Sequence, residues 1–353
     1  MLDFPYAAVP PPGEVVAVRP GILWARLSLP FRLDHVNVYF IADDDGWIIV
    51  DTGVDNGTCR REWQALLDGP LKNFRFSGLL VTHHHPDHIG LAGWLCATLD
   101  VPLLTSRTAF LSAMNFYNSP ELLAASEYGR FYAGHGMSPE VAALVSTIGH
   151  EYMRMLSRPP VTYRRIKDGD TLIFGGRRFQ VLTGDGHCPE QVMLHARDDD
   201  LFLAADQVIE KISPNVSVMA FEPEGDPLGG FLQSLARIRR DIPADVLVLA
   251  GHRLPFHGLH ERCDQLIHHH HDRCDVIRNA LKTEPRSAAD LVPLMFERDL
   301  TPQEMSFAFG EVLAHANHLV ALGECAWLDR DSSRRVASTS DQARSSGSHG
   351  RTD

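Results

Sequence analysis

The chain reads as an α/β protein: strand-like and helix-like segments alternate over about its first 260 residues, and helices dominate after them. Three observations predict this. Short apolar runs of buried-strand length recur, and each leads into a carboxylate or an imidazole. Apolar residues at helical spacing fill the intervals between them. Finally, 353 residues at 44% hydrophobic content suffice for a sizeable core and exceed one ordinary domain.

Taken in order, Trp47–Val50 is a strand that runs into Asp51, and Ser77–Thr82 is a buried strand followed by a helix over Ile89–Thr98. Between the latter two lies His83-x-His85-x-Asp87-His88, four metal-capable side chains within six positions on a strand-to-helix turn. Imidazole and carboxylate suit Zn, Fe or Mn, and the lack of a paired thiolate favours a catalytic over a closed structural site. Residues 106–157 then carry helical spacing, with Ser119-Pro120 and Ser138-Pro139 as helix starts, and predict an insertion of three or four short helices. Phe179–Thr183 is a strand leading to Gly184-Asp185-Gly186-His187, Leu201–Ala205 a strand ending at Asp206, and the apolar run from Val246 a strand reaching His252.

These five motifs, in this order, resemble the metallo-β-lactamase superfamily, whose signature is H-x-H-x-D-H on such a turn. The resemblance implies a four-layer αβ/βα sandwich with two divalent metal ions at one edge between two sheets; zinc is the first expectation, and Fe or Mn is compatible with the ligands. It implies that His83, His85 and His187 hold one ion, that Asp87, His88 and His252 hold the other, that Asp206 bridges them, and that Asp51 supports the site without ligating. Two such ions roughly 3.5–4 Å apart lower the pKa of a shared water toward ~7. The expected activity is therefore a dinuclear metal-dependent hydrolase, in which a metal-bridged hydroxide attacks the carbonyl of a small acyl ester, thioester or lactone and Asp87 both ligates and orients the nucleophile. In related hydrolases, insertions at 106–157 shape the substrate pocket, which makes Tyr128, Phe131, Tyr132, His135 and Met137 candidates for its lining. The third motif departs from the Pro-Gly-His-Thr type of glyoxalase II, and no basic cluster for glutathione's carboxylates is evident.

Charge and composition bound the remaining classes. A net charge of −12 opposes binding a polyanion by counterion release, so nucleic acid is not an expected partner. No apolar run approaches the ~20 residues needed to span a bilayer, and the first residues lack the pattern of a signal peptide. Six cysteines without a C-x-x-C pair read as reduced thiols, and a cytoplasmic location is expected.

The chain turns helical near Leu259. Four consecutive histidines, His268–His271, sit there on one helix and point about 100° apart, so the run as a whole cannot converge on one ion. A capped helix from Ser287, another over Ser306–Leu322 and a small strand at Gly323–Trp327 resemble the winged-helix-like C-terminal domain of one superfamily branch, which includes an endoribonuclease and hydrolases similar to glyoxalase II. The expected division is a catalytic domain over residues 1–258, this domain over 259–327 as a packing or homodimerisation element, and a disordered tail over 328–353. The alternative function is an RNA or phosphodiester hydrolase, which rests on the C-terminal architecture. A lapsed, purely binding scaffold is disfavoured by the intact ligand set.

Overall fold

The computed structural model describes residues 2–119, 126–330 and 333–339. They form two compact units that do not follow chain order: unit 1 takes Met1–Pro120, Tyr152–Pro214 and Ser234–Asp264, and unit 2 takes Glu121–Glu151, Asn215–Gln233 and Gln265–Asp353.

Unit 1 is built on two sheets. The first has seven strands in sequential order: β1 (Val16–Arg19), β2 (Ile22–Ser28), β3 (His35–Asp43), β4 (Gly46–Val50), β5 (Phe76–Leu80), β6 (Leu103–Thr105) and β7 (Arg164–Arg165). The second has five, ordered β12-β11-β10-β9-β8, from β8 (Thr171–Phe174), β9 (Arg177–Gly184), β10 (Gln191–Ala196), β11 (Leu201–Ala205) and β12 (Leu247–Ala250). Alternate residues of each sheet meet in one core: Trp24, Tyr39, Ile48, Val50 and Leu80 from the first pack with Phe179, Val181, Leu194, Leu203 and Leu249 from the second. Helix α1 (Gly57–Asp68) packs on β2, and α3 (Ala92–Leu99) on β5. The α/β sandwich read from the sequence is thus the observed fold.

Strand direction positions the site. Strands β4 and β5 run parallel, as do β11 and β12, so their carboxyl ends project together from their sheets. Backbone and side-chain bonds join the two sheets at that edge: Asn37 N–H donates to the Gly251 carbonyl at 2.7 Å, Tyr39 Oη to Ala250 at 2.7 Å, and Val192 N–H to Thr82 at 2.8 Å.

The helix expected over Ile89–Thr98 is two pieces, a four-residue α2 (Pro86–Ile89) and then α3. Proline at N1 starts the first piece, since its missing N–H would have been unpaired there anyway. Gly90 ends it in a crowded place, where a Cβ would strike the carbonyls of Pro86, Gly53 and Met155. Asp87 and His88 therefore sit on a helical first turn rather than ahead of a helix.

Of the predicted insertion, α4 (Arg107–Asn118) belongs to unit 1, whereas α5 (Ser126–Gly134) and α6 (Pro139–Ile148) belong to unit 2. The Ser138-Pro139 start is observed, with Ser138 Oγ accepting from Val141 N–H. Ser119 closes α4 as its C-cap, and Pro120 and Leu122–Leu123 fall outside the described residues. Helix α7 (Pro227–Asp241) is shared between the two units.

Unit 2 continues with most of α8 (Leu259–Ala280), then α9 (Ala288–Met295), α10 (Pro302–Ala321) and an antiparallel pair, β13 (Cys325–Arg330) with β14 (Ser333–Ser338). Helix α10 packs against α6 and α9, and α5 against β14. The sequence expectation differs in three places. Helices α5 and α6, expected as part of the insertion in the catalytic domain, find their partners in α10 and β14 of unit 2. Helix α10 starts four residues earlier than the predicted Ser306, where Thr301 and Glu304 form a reciprocal capping box with Pro302 at N1. And residues 333–338, expected in a disordered tail, form a strand because Val336 is fully buried and exchanges backbone bonds with Arg286.

Candidate metal centre

Five strand ends of unit 1 supply the site. Asp51 follows β4, His83–His88 follow β5, His187 follows β9, Asp206 follows β11 and His252 follows β12. Three of these junctions use left-handed backbone at residues other than glycine: Asp51 (φ 63°), Ala205 (φ 45°) and Arg253 (φ 67°). Such strain costs on the order of 1–3 kcal/mol each and persists where the surroundings impose it, characteristically at functional sites. At Ala205 the strain coincides with a register shift between β11 and β12, which re-aims Asp206 away from the ladder.

The first group is three imidazoles. His83 Nε2 lies 3.0 Å from His85 Nδ1, His85 Nδ1 lies 3.1 Å from His187 Nε2, and His187 Nε2 lies 3.3 Å from His83 Nε2. Three nitrogens aimed at one another cannot all be satisfied by shared protons. A tetrahedron with Zn–N distances of about 2.05 Å has edges of about 3.3 Å, which is the size of this triangle. Burial, with the neighbouring imidazoles, pushes His83 and His85 well below the usual histidine range, so both are neutral, the ligand form.

The second group is rich in acid. His252 Nε2 lies 3.1 Å from Asp206 Oδ2 and 3.4 Å from Asp87 Oδ2, and His88 Nε2 lies 3.4 Å from Asp206 Oδ2 and 3.7 Å from Asp87 Oδ2. Burial would depress both imidazoles, yet the carboxylates outweigh it: Asp206, Asp87 and Asp51 hold His88 well above its usual range, and Asp206 with Asp87 hold His252 at about 9. Conversely, burial raises the Asp87 carboxyl, and His88 and His252 overcome it to leave Asp87 at about 2. This half of the site demands positive charge. Asp206 Oδ2 also reaches the first group, 3.5 Å from His187 Nε2, so one oxygen is the shared corner of both.

A divalent ion fits these residues. His88 Nε2 and Asp206 Oδ1 are buried with no hydrogen-bond partner, and such orphans are costly unless something completes them. Gly251 keeps the space clear, since a Cβ there would meet Asp206 Oδ1 and the His88 ring.

The opposite ring nitrogens are held by the protein. His88 Nδ1 lies 2.8 Å from Asp51 Oδ2, and Asp51 in turn accepts from Thr82 N–H at 2.8 Å and Thr82 Oγ1 at 2.9 Å. His252 Nδ1–H donates to the His35 carbonyl at 2.7 Å, which fixes the ring with Nε2 turned toward the carboxylates. Sequence reasoning identified Asp51 as a support but missed Thr82 and His35. A hydroxyl and a main-chain carbonyl leave no metal-like signature; only the strand ends on which they sit were readable.

All seven residues expected as ligands, His83, His85, Asp87, His88, His187, Asp206 and His252, are thus brought together in unit 1. Within them, His83-His85-His187, His83-His88-Asp206 and Asp87-His88-His252 each have ligand atoms close enough to share an ion. Cys188 is a buried thiol, 3.0 Å from His84 Nδ1 and pushed up by burial, so it donates to that ring and packs. Asp185 serves its turn, accepting from Glu190 N–H at 3.1 Å. The five residues expected to line a pocket lie in unit 2, where Tyr128, Tyr132, His135 and Met137 are buried and Phe131 is half-buried. Tyr132 Oη meets His150 Nε2 at 2.7 Å and its ring packs on Phe309, while the His135 ring meets Trp327.

A two-sheet sandwich with this cluster at its strand ends defines a metallo-hydrolase. The chain belongs to the metallo-beta-lactamase superfamily: residues 31–252 match that family, and residues 274–334 match the metallo-beta-lactamase-like C-terminal domain. Among solved structures it is similar to a beta-lactamase domain protein from Burkholderia ambifaria (37% identity, 96% of this chain and 97% of that one, TM-score 0.85). It is also similar to a metallo-beta-lactamase family protein from Thermus thermophilus (28% identity, 91% and 100%, TM-score 0.76). A probable metallo-hydrolase of Bacillus subtilis, YqjP, is 22% identical over 298 residues, covering 79% of this chain and 87% of the relative. Among the described residues, no helix is long and apolar enough to cross a membrane.

Proposed function

We propose that this metallo-hydrolase works with two divalent ions, zinc in the first instance, and cleaves a small acyl ester, thioester or lactone. The supporting observation is the position of Asp206 Oδ2, within 3.5 Å of His187 Nε2 on one side and 3.1 Å of His252 Nε2 on the other, where a single carboxylate oxygen serves two ligand sets. His83, His85 and His187 would hold one ion, and Asp87, His88 and His252 the second. Bound there, the pair supplies Lewis acidity, lowering the pKa of water and polarising a carbonyl oxygen.

The chain's own groups do the rest. Asp87, ionised at neutral pH, accepts a hydrogen bond from the attacking water at a carboxylate oxygen and orients it toward the carbonyl carbon. Asp51 and the His35 carbonyl fix the rings of His88 and His252, so the ligands meet the transition state without reorganising. A net charge of −12 supports a small acyl substrate over a nucleic acid. Six free cysteines support a reducing, cytoplasmic setting. The order of helices followed by the β13–β14 pair supports a winged-helix-like reading of the C-terminal region as a packing or homodimer element.

The test is a hydrolysis screen of acyl thioesters, esters, lactones and a bis-phosphodiester with wild type and Asp87→Ala. Carbonyl ester cleavage that falls at least a hundredfold in the variant is the expected result. Cleavage of the phosphodiester alone would replace this reading with a nuclease, and turnover indifferent to Asp87 would refute the role given to it.

A further inference from the structure

Unit 2 holds a second cluster of imidazole and carboxylate that the hydrolase reading does not use. The His268–His271 run cannot converge by itself, but two of its members meet a second helix. Ligand atoms of His269 and His270 on α8 and Glu311 on α10 all lie within 4.8 Å of one another. His270 is fully buried, while His269 and Glu311 are half-buried.

A fourth side chain fixes the geometry. His315 sits one turn beyond Glu311, and its Nδ1–H donates to the Glu311 carbonyl at 2.7 Å. Its Nε2 is therefore the acceptor, and His270 Nδ1, 3.1 Å away, carries the proton that joins the two rings. That leaves His270 Nε2 unprotonated, the form in which imidazole binds a metal. This is the outer-sphere arrangement by which ligating histidines are commonly oriented.

The electrostatics agree. Burial pushes Glu311 up to about 7, and Arg273 offsets this only in part, because its guanidinium is engaged by the Met295 carbonyl and lies over the Phe296 ring. Burial likewise holds His270 at about 2 and His315 at about 4, so both rings are neutral. The cluster sets a half-buried carboxyl beside the neutral rings of His270 and His315.

We propose that His269, His270 and Glu311 form a second metal site, separate from the hydrolase centre, that takes a divalent ion of the zinc, cobalt or nickel class and cross-links α8 to α10, with His315 positioning the His270 ring. Two imidazoles and one carboxylate suit such ions, and the half-exposed His269 and Glu311 leave room for water as a further ligand. The role is a clasp: an ion that binds the folded form alone stabilises it by mass action.

The test is zinc stoichiometry and zinc-dependent thermal shift on the full chain, stripped with chelator and reloaded, for wild type, Glu311→Gln, His269→Gln and the control His268→Gln, whose imidazole is 81% exposed. Glu311→Gln and His269→Gln are expected to bind one ion fewer per chain than wild type and to lose part of the thermal shift, with the control unchanged. Asp206→Asn should lose ions from the hydrolase centre and keep this one, which separates the two sites. His269→Gln removes a half-exposed ligand and keeps the test valid if Glu311→Gln fails to fold. Wild-type stoichiometry in His269→Gln, or equal loss in His268→Gln, would overturn the proposal.

Discussion

Asp51 shows how much of the site rests on a residue outside the ligand set. Its carboxylate takes two hydrogen bonds from Thr82 and one from the His88 ring, and its backbone sits at φ 63°. Removing it leaves buried donors unpaired, at about 1–3 kcal/mol each, and frees the His88 ring to turn. Asp51→Ala should therefore weaken metal retention by about 10–100-fold, the usual effect of losing a ligand's support; competition against a chromophoric chelator measures it, and unchanged retention would deny Asp51 this role. At this scale the sequence was most legible where chemistry is carried by side chains in a compact pattern. His83, His85, Asp87 and His88 announce themselves within six positions. The Thr82 and His35 contacts are settled only by where two strand ends come to lie.

Among the elements, α10 illustrates a start signal that outweighs apolar spacing. Thr301 Oγ1 accepts from Glu304 N–H, and the Glu304 carboxylate accepts from Thr301 N–H at 3.0 Å. The Thr301 N–H bond, with Arg298 nearby, holds Glu304 at about 2, below its unfolded value. A depressed folded pKa means the contribution is complete above about 4.3, the unfolded value, and is lost as pH falls through the folded one. Glu304→Gln should accordingly lower the thermal midpoint at pH 7 and make progressively less difference as the pH approaches 2. An equal effect at both ends of that range would show that the carboxylate's charge is not what caps the helix. The T-P-Q-E box at Thr301–Glu304 is itself a start signal in the sequence, and it places the start at Pro302, four residues ahead of the expected Ser306. The β13–β14 pair was hidden for a different reason. Ser333–Ser338 is polar at most positions, and only its pairing with Cys325–Arg330 makes a strand of it.

Across the whole molecule, every residue assigned to the hydrolase centre falls in unit 1, although the chain supplies them from positions as far apart as 51 and 252. The sandwich was predictable because its strands are continuous apolar runs with chemistry at one end. The interleaving of units was not, since amphipathic helices such as α5 and α6 state which face is buried but not against which partner. The most direct test of the centre is an anomalous difference map, recorded at the zinc edge from a crystal of the zinc-loaded full chain. Apart from any peak at His269, His270 and Glu311, two peaks about 3.5–4 Å apart, one on either side of Asp206 Oδ2, are predicted. A single peak, or none beside Asp206, would contradict the two-ion reading.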